Sequence, residues 1–160
     1  SINLPRPILG KKNTNFSFSG LKTAFYRKSI AENLTPQRVN DLAASFQFAV
    51  TDILEDKSSN IIDLILKEDK NIKSFVVSGG VAANKTIRKR LSNLSKQKKL
   101  DIFFPPIEFC TDNGAMIAWA GIEKIKRYGL IKVNDFSFDP RPRWPLDSEA
   151  EAIGLSKFPK

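Results

Sequence analysis

The chain has no histidine. That absence excludes a self-contained Ser-His-Asp or Cys-His nucleophile and an HExxH zinc helix, since each needs an imidazole to carry a proton or hold a metal. A single cysteine, Cys110, leaves no disulfide within the chain, so a reducing compartment is the natural setting. No apolar run approaches the ~20 residues that cross a bilayer, and the first residues lack a signal-like apolar core. These absences indicate a soluble, cytoplasmic protein. The first residue is Ser1 rather than methionine, which suggests a processed or truncated product.

What is present is ample for a packed domain. Of 160 residues, 41% are hydrophobic and 12 are Phe, enough apolar surface to offset chain entropy and argue against disorder. Net charge is +9, and +7 of it lies in residues 81–100, which carry Lys85, Arg88, Lys89, Arg90, Lys96, Lys98 and Lys99 with no acidic side chain. Such a concentration fits a phosphate-rich partner, nucleic acid or nucleotide, or else a solvated helix face. If RNA is bound there, Arg88, Lys89 and Arg90 are the cations expected to meet it, with an affinity that falls steeply with salt.

Residues 1–15, with Pro5, Pro7, Gly10 and a polar run, read as a loop or arm. Phe16-Ser17-Phe18 alternates like a short strand, and Ser19 is placed to cap a helix to about Ile30. Thr35-Pro36 marks a helix start, a capping hydroxyl followed by a proline whose missing N–H costs nothing. Apolar residues at helical spacing then predict one long helix to about Leu66, interrupted, if anywhere, near residue 58. Residues 74–78 read as a buried strand, Gly79-Gly80 as a break, and 82–96 as a helix. Residues 102–104 read as a second buried strand stopped by Pro105-Pro106, and Asp112 to about Tyr128 as a helix ended by Gly129. The tail from about residue 130 is rich in Pro and Arg and reads as extended. Strands alternating with helices give an α/β fold in one unit, residues 1–160.

Three segments hold candidate chemistry. Ser78-Gly79-Gly80-Val81-Ala82-Ala83-Asn84 joins a strand to a helix: glycines admit close approach of a ligand, the helix N-terminus offers N–H groups, and Asn84 is placed to bond a ribose or base. A tight turn accounts for the same residues. Asp112, in Cys110-Thr111-Asp112-Asn113-Gly114-Ala115-Met116, sits after a strand where α/β folds place functional groups, as a metal ligand or as a helix cap. A lone carboxylate makes no transition-metal site, so other ligands would have to come from elsewhere. Gly114, Ala118 and Gly121 form a smooth helix face. Phe16-Ser17-Phe18-Ser19-Gly20-Leu21-Lys22-Thr23 puts Ser19 and Lys22 at a turn where Lys22 is either a phosphate contact or a surface lysine.

Taken in order with Arg141-Pro142-Arg143-Trp144-Pro145-Leu146, these strings resemble the C-terminal half of the universal tRNA threonylcarbamoyl transferases, the TsaD group, from about Leu4 to Leu146. The resemblance implies the C-terminal lobe of an actin-like ATPase (ASKHA, ribonuclease-H-like) fold. It also implies transfer of threonylcarbamoyl from threonylcarbamoyl-adenylate to the adenosine 3′ of the anticodon, in tRNAs that read codons beginning with adenine. By motif position Asp112 matches a metal ligand, Ser78, Gly79 and Gly80 the adenosine-side loop, and Asn84 a substrate contact. Ser19 and Lys22 are candidate substrate or phosphate contacts. One iron or zinc ion, a threonylcarbamoyl-adenylate or ATP-type nucleotide, and accessory proteins of the same pathway are implied with them.

The departure from the family pattern is large. The family's two histidine ligands, spaced HxxxH, lie in its N-terminal half, as do the first phosphate loops. This sequence is therefore expected to be inactive until it meets a partner half that carries them. The other readings are a non-catalytic nucleotide- or RNA-binding fragment and an inert lobe with an exposed partner face. The family's older label of metallo-glycoprotease finds no proteolytic constellation here. Asp112 and the diglycine turn are expected to face one concavity.

Overall fold

Thr35 starts the main helix as its sequence suggests. The Thr35 hydroxyl accepts from the Arg38 N–H at 3.3 Å, Pro36 occupies the first turn, and α2 runs Pro36–Glu68, 33 residues and about 50 Å. The structure, a computed structural model, describes residues 2–30 and 34–130. Its other elements are α1 (Leu21–Ile30), β1 (Ser74–Val76), α3 (Lys85–Gln97), β2 (Asp101–Phe103) and α4 (Gly114–Tyr128), with 3-10 turns at Gly80–Ala83 and Ile107–Phe109. Strands β1 and β2 pair in parallel, Phe75 opposite Ile102, with α3 as the crossover. The expected tail, including the 141–146 string, lies outside the described residues.

The chain divides after Asn113 into two units, the second described as far as Leu130. In the first, α2 serves two cores. Its N-terminal half packs Leu42, Ala49 and Ile53 against Ile2, Leu4 and Leu21, with Phe25 and Phe46 edge to face at 5.0 Å. Its C-terminal half packs Ile62 against Ile87, Leu91 and Leu94 of α3 and against Phe75 and Ile102 of the strands. In the second unit, α4 ends on Gly129 at φ +80, whose N–H bonds the Ile125 carbonyl. No α4 residue is buried; Ile117 and Trp119 are 66% and 62% exposed.

Several elements differ from the pattern of the sequence. Residues 16–18 form no strand, because none of the described segments offers them a ladder. The helix expected from residue 82 begins at Lys85, since a 3-10 turn intervenes, and the one expected from Asp112 begins at Gly114. The strands are not buried: Val76 is 65% and Phe103 55% exposed, because a two-stranded sheet is covered here on one face.

Nor is α2 interrupted near residue 58. The polar residues there hold the N-terminal segment instead. Ser45, Asp52, Asp56 and Asn60 recur at intervals of 7, 4 and 4, which places them on one stripe of the helix. They accept from Ile2 N–H (2.9 Å), Arg6 Nε (2.6 Å) and Gly10 N–H (3.2 Å), and Asn60 donates to the Lys11 and Asn13 carbonyls. Lys57, fully buried, pairs with Asp56 at 2.9 Å and donates to the Lys11 carbonyl at 2.8 Å. The segment read as an arm is thus laid along the helix, with Ile2 and Leu4 in the core. Lys57→Ala is expected to cost about 3 kcal/mol in chemical denaturation, from a cavity plus the loss of the Asp56 ion pair and of one of the two donors on the Lys11 carbonyl. A loss below about 1 kcal/mol would show that Lys57 takes little part in holding the segment.

Candidate functional site

Because β1 and β2 are parallel, the loops that follow them leave the sheet at the same end, where α/β folds gather functional groups. After β1, the Val77 N–H extends the ladder to the Phe103 carbonyl at 3.0 Å. The chain then turns at Gly79, whose φ +91 and ψ 172 belong to a region that side-chain-bearing residues scarcely adopt. Gly79 launches the 3-10 turn Gly80–Ala83, with Ala82 N–H bonded to the Gly79 carbonyl at 2.9 Å. A Cβ added at Gly79 would meet open space, while one at Gly80 would lie 3.9 Å from the Cys110 carbonyl. After β2 the chain passes Pro105-Pro106 and the turn Ile107–Phe109, buries Cys110, and exposes Thr111 and Asp112.

Arg88 joins the two loops. Reaching out from the first turn of α3, its guanidinium donates through Nε to the Ala82 carbonyl (2.5 Å) and through Nη2 to the Pro105 carbonyl (2.8 Å) and Cys110 Sγ (3.2 Å). The same group lies 4.8 Å from the centre of the Phe104 ring. A planar fork with five fixed donors can span three such acceptors, which a lysine could not do in one geometry. The Cys110 thiol is also 3.6 Å from the Pro106 carbonyl, which keeps the loop folded on itself.

Asn84 is the N-cap of α3 rather than a member of its first turn. Its Oδ1 accepts from the Thr86 and Ile87 N–H groups (2.9 and 3.1 Å), so the N–H groups expected to await an anion are already partnered. Its Nδ2 donates to Gln47 Oε1 at 2.8 Å, and Gln47 Nε2 donates to Thr86 Oγ1 at 3.1 Å, tying the cap to α2. One amide N–H of Asn84 is left over for a ligand.

Of the residues singled out from sequence, the structure therefore brings the Ser78-Gly79-Gly80 turn beside the segment that leads to Asp112. Ser78, Gly79, Gly80 and Asp112 are all exposed, and Asn84 is half-buried. Ser19 and Lys22 are exposed at the start of α1, and among the described residues no hydrogen bond or ion pair links them to the other two segments. Cavities of about 390, 430 and 460 Å³ lie along α2 and the N-terminal segment, and none is lined by Gly79, Asn84 or Asp112. Among the described residues no three His, Cys, Asp or Glu side chains gather as a metal site. Sequence reasoning missed Arg88 and Gln47 as organisers. Apart from Ala82, their partners stand 17 to 39 residues away, and nothing local marks them.

The basic segment is also sorted by the structure. Besides Arg88, Arg90 bonds Asp52 (3.0 Å) and Glu55, and Lys98 pairs with Asp63 at 2.5 Å. The hydrogen bond to Glu55, with the charges of Glu55 and Asp52 added, raises the Arg90 pKa above its ordinary value despite partial burial. Arg88 and Arg90, expected as RNA contacts, are thus tied to the protein itself.

Two substitutions test this geometry. Gly79→Ala forces a side chain into a φ that disfavours it and is expected to cost roughly 1–3 kcal/mol. Gly80→Ala makes an ordinary contact and is expected to be near neutral. Equal costs in denaturant unfolding would contradict the assigned turn.

The comparisons agree with the sequence resemblance. The family model described as TsaD, tRNA N6-adenosine threonylcarbamoyltransferase, matches residues 1–119. The chain is 45% identical over 157 residues to the tRNA N6-adenosine threonylcarbamoyltransferase of Methylocapsa acidiphila, covering 98% of this chain and 44% of that protein. It is 45% identical over 153 residues to that of Chelativorans sp. (strain BNC1), 93% of this chain and 42% of that protein. It is 44% identical over 151 residues to that of Zymomonas mobilis, 94% and 40%. The chain therefore spans about two fifths of the length of the curated relatives it matches. With half of its residues and more under the family model, the chain belongs to the TsaD family, described as tRNA N6-adenosine threonylcarbamoyltransferases.

Proposed function

We propose that this chain is the C-terminal lobe of a tRNA adenosine threonylcarbamoyltransferase with an actin-like ATPase (ASKHA) fold, working in the cytoplasm. The complete enzyme moves threonylcarbamoyl from threonylcarbamoyl-adenylate to the exocyclic amine of the adenosine 3′ of the anticodon. Its partners are tRNA, an N-terminal half bearing HxxxH, and accessory proteins of the same pathway. The observation that carries the reading is the placing of the diglycine turn against the Cys110 segment at one end of the sheet, in a chain of this family. In keeping with a cytoplasmic enzyme, no helix among the described residues is long and apolar enough to cross a membrane.

Each residue has a task within this reading. Gly79, open on its outer side, lets the flat adenosine of an adenylate approach the backbone, with Ser78 and Gly80 beside it. The remaining N–H of Asn84 donates to that ligand, while its Oδ1 keeps α3 capped. Asp112 offers a solvent-facing carboxylate. An iron or zinc ion would polarise the activated carbonyl, but the described residues gather no three ligating side chains and do not make a metal site by themselves.

The test joins this chain to an HxxxH-bearing N-terminal half in cells that lack the modification. Threonylcarbamoyladenosine in total tRNA is expected to return, and Asp112→Ala is expected to lower the rate by about two orders of magnitude, the scale of losing one directly acting polar group. Unaltered activity in that variant would remove Asp112 from the site. Absence of the modification with both halves folded and joined would overturn the functional reading.

A further inference from the structure

Three of the seven basic side chains in residues 81–100 are held internally, and the rest have a common address. Lys85, Lys89, Lys96 and Lys99 are exposed, with no ion pair among the described residues. On α3, Lys85, Lys89 and Lys96 are 4 and 7 residues apart, which sets them within about 40° of one another around the helix. The buried residues Ile87, Leu91 and Leu94 lie on the opposite side. The row is about 16 Å long at ~1.5 Å per residue, comparable to roughly five stacked nucleotides at ~3.4 Å each. Lys99, at φ +57, lies just past the helix end.

The row has a direction. Lys85 follows Asn84, the cap that sits beside the diglycine turn, and Lys96 lies three turns away at the far end of α3. A polyanion lying along the row is therefore led to the turn. The residues between the lysines on the exposed side, Ser92 and Asn93, carry no negative charge, and no acidic residue occurs between residues 81 and 100. A merely solvated helix would gain from Glu at i−4 to its lysines, and α3 has none.

We propose that the exposed face of α3, through Lys85, Lys89 and Lys96, is a track for the RNA sugar-phosphate backbone that delivers the substrate to the Gly79–Asn84 end of the helix. This rests on the reading of tRNA as substrate and assigns it a surface. The contacts are ionic and sequence-independent, so they position the RNA and leave base recognition to other parts of the enzyme. The arrangement also replaces the sequence-based choice of Arg88, Lys89 and Arg90: of those three, Lys89 alone belongs to the track.

The test uses the assembled two-half enzyme and an unmodified tRNA transcript that reads codons beginning with adenine. Binding is measured from about 0.05 to 0.3 M salt for the wild type, for a triple variant with Lys85→Gln, Lys89→Gln and Lys96→Gln, and for a charge-matched control with Lys28→Gln, Lys67→Gln and Lys70→Gln. Glutamine is a good helix former, so α3 is retained, which circular dichroism checks. The triple variant is expected to bind at least about tenfold more weakly near 0.1 M salt. Its slope of log K against log salt should be shallower by about 2, since each phosphate contact contributes ~0.7–0.9. The control should keep the wild-type slope. A triple variant with wild-type slope and affinity overturns the track, as does a control that loses as much, since the effect is then one of total charge. A wild-type enzyme that modifies no tRNA is a different outcome and defeats the functional reading itself, and the track with it.

Discussion

The Arg88 guanidinium is the constraint on which the candidate site depends. Each loop after a strand is short of internal support: the diglycine turn is a single 3-10 turn, and the loop after β2 begins with two prolines that offer no backbone donors. Left alone, the carbonyls of Ala82 and Pro105 would find water. One planar cation satisfies both, takes the Cys110 thiol as a third partner, and lies over Phe104. The two loops then share a single anchor, and the anchor is fixed to α3. That helix is itself held by its Ile87, Leu91 and Leu94 core and by the Arg90 ion pairs to α2.

The same helix divides labour around its circumference. Its apolar side builds the second core, its two flanks carry Arg88 and Arg90 to partners within the protein, and its outer side carries the lysines. Net charge alone could not reveal this division, because a buried or paired arginine and a free lysine count equally in a sum. Functional claims drawn from a basic segment need the partners of each cation, and here those partners change which residues face a substrate.

Much of the local structure was legible from the chain. Thr35-Pro36 stated the start of α2 through capping chemistry, the period of Leu42, Phe46, Ala49 and Ile53 stated its buried side, and Gly129 stated the end of α4. The βα turn at Gly79 was readable because glycine pairs seldom sit inside regular elements. Contacts distant in sequence were not readable. The polar residues 57–60 looked like a break in a helix, when they receive a segment some 46 residues earlier. Phe16-Ser17-Phe18 alternates like a strand, yet strands exist by pairing and none of the described residues pairs with it. Asn84 was legible as a polar residue near a helix start, but its double duty as cap and as partner of Gln47 needed α2 in place. The family's strings located the candidate residues, and the fold supplied the physical reason that two of those strings lie side by side.

The joint anchoring of the two loops is tested most directly by amide hydrogen exchange in the wild type and in Arg88→Met, a side chain of similar length without donors. The amides to follow are Ala82 and Asn84 in one loop and Phe109 and Cys110 in the other, all hydrogen-bonded in the 3-10 turns. Loss of protection in both loops together, with the centre of α2 unchanged, is the predicted result. Loops that keep their protection, or that lose it in one and not the other, would contradict the account.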